Sequence, residues 1–131
     1  MLTSTLYAGL VDVAGGAEGL RLLVLFGSRA RDDARVESDW DFGYIGTSAF
    51  DADGLLATLV GVLGTDRIDL VDLTRAGGQL RYRAARDGMP LSAADDREFA
   101  HFWFEAVSFW CDMQSVLRAG YEQVLSELPQ R

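Results

Sequence analysis

Leu20-Arg21-Leu22-Leu23-Val24-Leu25-Phe26-Gly27-Ser28 is followed by ten mostly polar residues and then by Asp39-Trp40-Asp41-Phe42-Gly43-Tyr44-Ile45. The apolar run Leu20 to Phe26 has the length and composition of a buried strand. The run from about Asp39 to Ile45 reads as a second strand, and it carries two carboxylates at its start. Residues two apart on a strand point to the same face. Asp39 and Asp41 are therefore expected side by side, an arrangement that suits a divalent cation, with Trp40 on the opposite face filling core. The Gly27-Ser28 turn falls at the carboxyl end of the first strand, followed by a short helix. Free backbone N–H groups there are suited to holding phosphate. A phosphate cradle beside paired carboxylates is the equipment for Mg²⁺-assisted nucleotidyl transfer.

A third carboxylate lies in Arg67-Ile68-Asp69-Leu70-Val71-Asp72-Leu73, the next strand-like run. Asp69 and Asp72 are three apart and should face opposite ways, so only one of them can join Asp39 and Asp41. Asp69 is favoured because Ile68 and Leu70 flank it and would point to the other face. Asp72, nearer the strand end, is read as a cap or a solvent-facing group.

With these residues in hand, the chain resembles the DNA polymerase β-like nucleotidyltransferase superfamily. It resembles most closely the minimal nucleotidyltransferase (MNT) antitoxins paired with HEPN-domain toxins. The resemblance rests on Gly27-Ser28, the ten-residue spacing to Asp39 and Asp41, on Arg67-Ile68-Asp69-Leu70, and on the stretch Gly27-Ser28-Arg29-Ala30-Arg31. It covers roughly the first ninety residues. It implies that Asp39 and Asp41 bind two Mg²⁺ ions, that Asp69 helps bind metal and activates the attacking hydroxyl, and that Gly27 and Ser28 hold the phosphates of ATP. It also implies that AMP passes from ATP to a tyrosine of a HEPN-type RNase toxin, silencing it. One departure is visible: many relatives continue Arg-Gly where this chain has Arg31-Asp32. The missing glycine bears on the conformation of a loop and removes no catalytic group.

Composition narrows the partners. The 131 residues argue for one domain, and 49% apolar content is enough for a core. The net charge is −8 and all the positive charge is arginine. An acidic chain is poorly suited to neutralising a nucleic-acid backbone, so no nucleic-acid partner is expected; a basic protein partner is favoured instead. The one cysteine, Cys111, cannot close an internal disulfide. No apolar run reaches transmembrane length and the start lacks a secretory pattern, so the expectation is a cytoplasmic protein without a membrane partner. His101 is the only histidine, so any metal is held mainly by oxygen, which favours Mg²⁺ or Mn²⁺ over zinc.

The remaining elements read as a helix over 3–14 ended by glycines, a helix over 55–63, a strand over 67–73, and a short helix over 79–86 with Gly88 as its C-cap. Met89-Pro90-Leu91 reads as an edge strand or an extended link. A long helix follows over 94–128, opened by Ser92 and Asp95 in a capping-box pattern. Arg29 is read as a phosphate ligand because it directly follows the turn, against the alternative that Arg29 and Arg31 balance Asp32, Asp33 and Glu37. Arg81, Arg83 and Arg86 form a positive patch whose plainest reading is a solvated helix face. On the long helix, Phe99, Phe102, Ala106, Phe109, Met113 and Val116 form a stripe expected to pack on the sheet. Phe104 lies off that stripe, with Trp103 and Trp110 at its border, which marks a possible protein-binding surface. His101 and Cys111 stand about 15 Å apart along the helix, too far for a nucleophile pair.

The combined expectation is a single α/β (α+β) domain with a small mixed β-sheet and packed helices. A polymerase β-like core over about 1–91 would carry a long C-terminal helix over about 94–128. The reaction expected is AMP transfer from ATP to a hydroxyl of a partner protein, since little chain remains after the core for a separate substrate domain. Two alternatives stand beside it: an antitoxin that blocks its partner by binding alone, and an aminoglycoside-type small-molecule nucleotidyltransferase.

Overall fold

A computed structural model describes residues 2–95 and 97–129. The chain runs α1 (Ser4–Gly15), β1 (Leu20–Phe26), α2 (Ser28–Arg31), β2 (Trp40–Gly46), α3 (Ala52–Leu63), β3 (Ile68–Asp72), α4 (Gly78–Asp87), β4 (Met89–Ala93) and α5 (Arg97–Glu127). The four strands form one sheet in the order β3-β2-β1-β4. β1 is antiparallel to both its neighbours, and β2 and β3 are parallel, joined through α3. This is a mixed sheet with helices on both faces.

The side-chain alternation of β1 shows why its sequence is apolar without a break. Leu23 and Leu25 enter one cluster with Leu10 of α1, Leu55 and Leu59 of α3, Trp40 and Phe42. Leu22, Val24 and Phe26 enter the other with Ala84 and Ala85 of α4 and Phe102 and Ala106 of α5. A strand covered on both faces has no solvent side to mark with polar residues.

The helix ends follow local chemistry. Thr3 caps α1, its hydroxyl accepting from the Leu6 N–H at 3.1 Å. Asp51 caps α3 by accepting from Gly54 N–H at 3.1 Å. The expected capping box at Ser92 does not form. Ser92 lies within β4, opposite Leu23, and the helix starts later; Asp95 instead accepts from the Arg97 N–H at 2.8 Å. Gly88 does follow α4, but not in the left-handed conformation of a glycine cap; its φ is −67° and ψ 135°. Close packing makes glycine necessary there: a Cβ would stand 2.0 Å from the Ala84 carbonyl oxygen and 2.6 Å from Val24.

α5 departs most from expectation. Its stripe packs chiefly on α4, with fewer contacts to β1 and β4, and only Phe102 and Ala106 are buried. Trp110 stacks on Tyr82 at 5.5 Å between ring centroids. Phe109 is half exposed and Val116 is largely exposed, so the second half of the stripe does not reach the sheet. Among the described residues, no helix is long and apolar enough to cross a membrane.

Candidate nucleotidyltransfer site

The strands bring three of the expected residues into one line. Phe26, the last residue of β1, is paired with Asp41, and Asp41 is paired on its other side with Asp69. Phe42 enters the α1/α3 cluster, so Asp41 points to the α4/α5 face. Ile68 and Leu70 also enter the α1/α3 cluster, so Asp69 shares the face of Asp41. Asp39 sits just ahead of β2 and is exposed.

Electrostatics ties the three together. The Asp41 carboxyl is pushed above its ordinary value, first by burial and then by the negative charge of Asp69, with a further contribution from Asp39; Arg83 and, less strongly, Arg31 pull it down. Excess negative charge on a half-buried oxygen ligand is the condition a divalent cation relieves. Among the described residues, no three acidic, histidine or cysteine side chains are gathered closely enough to hold a metal as they stand. Asp39 and Asp69 are both exposed. The all-oxygen donor set and the register of Asp41 with Asp69 fit Mg²⁺.

Gly27 makes the turn beside them. Its φ of 74° and ψ of −156° fall in a region that only glycine adopts readily. A Cβ there would stand 2.4 Å from Asp41 Oδ2, so the carboxylate lies directly on the bare Cα. Ser28 then opens the single turn α2, where Ala30 and Arg31 N–H donate to the Gly27 carbonyl at 3.1 Å. The first N–H groups of such a turn have no acceptor within it. α2 ends at Asp32 with φ 61°, a left-handed conformation that glycine adopts more readily.

Arg29 is oriented differently from the expected phosphate ligand. Its guanidinium lies 4.5 Å from the centre of the Trp40 ring, on the face opposite Asp41. It donates to the carbonyls of Ser38 at 2.9 Å and Val36 at 3.2 Å. It therefore braces the loop that delivers Asp39. Arg31 is engaged with Asp87 at 2.9 Å and Asp33 at 3.2 Å, which pins α4 to α2. Asp72 accepts from the Thr74 N–H at 2.9 Å and hydroxyl at 2.6 Å and lies opposite Tyr44. Burial and then the Asp72 charge push the Tyr44 hydroxyl up, so Asp72 belongs to the other face.

The arginines of α4 separate once their partners are visible. Arg81 pairs with Glu105 at 3.7 Å and covers Phe102. Arg86 pairs with Asp87 at 3.0 Å and covers Tyr82. Arg83 is exposed, makes no ion pair among the described residues, and has Asp41 within its field. It precedes Asp87 by one helical turn, on the flank that the Arg31–Asp87 pair holds against α2. The sequence showed three similar arginines; what distinguishes Arg83 is the placement of carboxylates elsewhere in the fold.

A glycine-led turn at a strand end, beside two register-paired aspartates on a mixed sheet, defines a nucleotidyltransferase class of fold and site. The chain belongs to the polymerase beta nucleotidyltransferase family, whose model matches residues 10–97. It is 34% identical over 96 residues to the protein adenylyltransferase MntA of Aphanizomenon flos-aquae (strain 2012/KM1/D3), a match covering 63% of each chain. The chain thus spans less than two thirds of that relative's length. Its fold is similar to a chain in a crystal structure of a toxin–antitoxin with AMP-PNP, with a TM-score of 0.71 and 23% identity over 91% of this chain and 98% of that one. It is also similar to a chain in a structure of tri-AMPylated Shewanella oneidensis HEPN toxin with MNT antitoxin, with a TM-score of 0.66 and 22% identity over 92% and 97%.

Proposed function

We propose that this chain is a Mg²⁺-dependent protein adenylyltransferase acting as an antitoxin, and that it transfers AMP from ATP to a tyrosine hydroxyl of a partner HEPN-type RNase toxin in the cytoplasm. The observation that carries this reading is the register pairing of Asp41 with Asp69 beside the Gly27 turn. A likeness in sequence to a protein adenylyltransferase supports it.

In this reading Gly27 and Ser28 present backbone N–H groups to the phosphates. Arg83 reaches the same phosphates from α4 and offsets the negative charge that gathers there. Asp39, Asp41 and Asp69 are the oxygen ligands for Mg²⁺, which when bound supplies positive charge to the α-phosphate and the departing pyrophosphate. The attacking hydroxyl oxygen forms a bond to the α-phosphorus, the bond from that phosphorus to the bridging oxygen breaks, and pyrophosphate leaves. Asp69 accepts the hydroxyl proton and passes it to solvent, to which it is open. Arg29 acts at one remove, by holding the loop before Asp39.

The test is transfer of label from ATP labelled at the α-phosphate, with Mg²⁺, to the product of the adjacent gene, beside Asp39→Asn. Label on a tyrosine of that protein, lost in the variant, is the expected result. A tightly bound partner that stays unlabelled with every nucleotide overturns the reading in favour of inhibition by binding alone. Label on an added aminoglycoside rather than on protein overturns it in favour of a small-molecule enzyme.

A further inference from the structure

α2 is a single turn of four residues, too short to hold its own direction. Its two arginines tie it to different parts of the fold. Arg29 donates to the carbonyls of Val36 and Ser38, with its guanidinium on the Trp40 ring. Arg31 donates to Asp87, the last residue of α4, at 2.9 Å. The aim of the N–H groups that follow Gly27 is set by what these two arginines meet. Arg31 also lies close enough to Asp41 to lower its carboxyl, so its tie to Asp87 is made at the edge of the site. Asp87 itself is firmly held. Its side chain is only 9% exposed. Its Oδ2 accepts from Arg31 Nη1 at 2.9 Å and from Arg86 Nη2 at 3.0 Å, and its Oδ1 accepts from Arg86 Nε at 3.0 Å. Hydrogen bonds from Arg86, and then from Arg31, hold the carboxyl below its ordinary value against the effect of burial. The next residue, Gly88, packs on Val24 of β1 too tightly for a Cβ, and Met89 pairs with Leu25. Asp87 is thus anchored to the strand that ends in the Gly27 turn, and it stands one helical turn from Arg83.

Taking Gly27, Ser28 and Arg83 as phosphate ligands, the reading on which this rests, we propose that Asp87 is a positioning residue for nucleotide binding. Through Arg31 it holds α2, and with it the N–H groups of the phosphate cradle, at a set distance from Arg83 on α4. On charge alone a carboxylate is out of place here. It repels a triphosphate, and burying it is tolerable only while its arginines satisfy it. Geometry explains its presence. α2 and α4 approach the phosphates from separate parts of the chain, and among the described residues the Arg31–Asp87 contact is the only ion pair that joins them. The same N–H groups hold the phosphates before and during transfer, so loss of the clamp falls on nucleotide affinity rather than on the chemical step. Arg29 differs, because it steadies the loop before Asp39 and its loss falls on kcat.

The test is calorimetric titration with a non-hydrolysable ATP analogue and Mg²⁺, beside label transfer to the partner protein. Asp87→Asn keeps the size of the side chain and removes its charge. On charge alone it strengthens analogue binding. The clamp predicts the opposite sign: a loss of roughly tenfold, with KM for ATP raised and kcat little changed. Arg31→Gln should lose the same amount, and the double variant no more than either alone, because both break one contact. Arg31→Lys, which keeps a donor to Asp87, should restore most of the affinity. Arg31 is the more exposed partner, at 41%, so its variants test the clamp even where Asp87→Asn fails to fold. Arg86→Gln removes two hydrogen bonds to Asp87 without touching α2, so it should lower Tm and leave affinity unchanged. Unchanged or tighter binding in Asp87→Asn, additive losses in the double variant, or an equal loss in Arg86→Gln, the mark of a merely structural role, would each overturn the proposal. Analogue binding needs no acceptor, so the clamp and the adenylyltransfer reading fail separately. Binding that follows this pattern without label on any protein overturns the adenylyltransfer reading alone. Label transfer with affinity unmoved by Asp87→Asn overturns the clamp alone.

Discussion

Replacing Gly27 by alanine should separate what the turn contributes to stability from what it contributes to the site. Two effects meet at this residue. The backbone, at φ 74° and ψ −156°, holds a conformation that costs a non-glycine residue about 1–3 kcal/mol. The added Cβ also stands 2.4 Å from Asp41 Oδ2 but 3.3 Å from Asp41 Cγ. Rotating the carboxylate relieves most of that clash, so the clash displaces the Asp41 carboxylate more than it destabilises the fold. With an unfolding entropy scaled to 131 residues, 1 kcal/mol corresponds to roughly 4 °C in Tm. Gly27→Ala should therefore lower Tm by roughly 4–11 °C. Placed in an Asp41→Ala background, where the clash is gone, the same substitution should cost nearly the same. Calorimetry of the four proteins gives the stability cycle. Label transfer by wild type and Gly27→Ala gives the functional cost, which should exceed a hundredfold at a temperature where both are folded, about 3 kcal/mol of transition-state stabilisation. A Tm within 1 °C of wild type would refute the strain argument, and transfer at the wild-type rate would refute the placement of Asp41 against the turn.

Asp41→Asn should stabilise the protein at neutral pH. The Asp41 carboxyl is raised above its ordinary value of 3.8 by burial and by Asp69. The unfolded chain therefore ionises first as pH rises, and the folded state bears the penalty in full once pH passes the raised value. The Tm advantage of the asparagine variant should shrink as pH falls toward 3.8; an advantage independent of pH would point to packing instead. Arg83→Ala should raise the ATP concentration for half-maximal transfer roughly ten- to a hundredfold, the equivalent of one hydrogen bond to a charged phosphate. Its Tm should hardly move, and calorimetric titration with a non-hydrolysable ATP analogue should show the same loss; undiminished affinity would remove Arg83 from the phosphate site. Arg29→Ala should instead cost about 1–3 kcal/mol of stability through two backbone hydrogen bonds and the Trp40 contact. Its transfer defect should fall on kcat with KM for ATP little changed; the opposite split would return Arg29 to the phosphates. Asp32→Gly should raise stability by at most about 1 kcal/mol, relief of a left-handed aspartate being partly offset by chain entropy, while leaving transfer intact; destabilisation by urea titration would refute this account of the loop.

The sheet was legible because its signals are local and redundant. A seven-residue apolar run ending in Gly27 can be little else than a covered strand, and the structure places β1 over Leu20–Phe26, covered on both faces. The separation of Asp69 from Asp72 follows from strand parity alone. Register was not legible: that Asp69 falls opposite Asp41, rather than one or two residues along, depends on how α3 packs and on the length of its connections. Likewise, strand periodicity could assign Trp40 to the core, but not reveal that its ring would hold Arg29.

Adjacency in sequence misleads where the chain turns sharply. Arg29 follows the Gly27-Ser28 turn directly, yet one helical residue carries its side chain around to the Trp40 face, and Arg83, more than fifty residues later, lies close enough to lower the Asp41 carboxyl. The long helix misleads for a related reason. Its 3.6-residue period marks an apolar stripe from Phe99 to Val116, but periodicity carries no information about where the body beneath it ends. The body ends near Met113 because α4 is only ten residues long and nothing among the described residues extends past its start. A face selected over the full length of α5, on a core that supports half of it, is hard to explain within one chain. The apolar pattern beyond Met113 is evidence about what covers this helix rather than about the body of one chain.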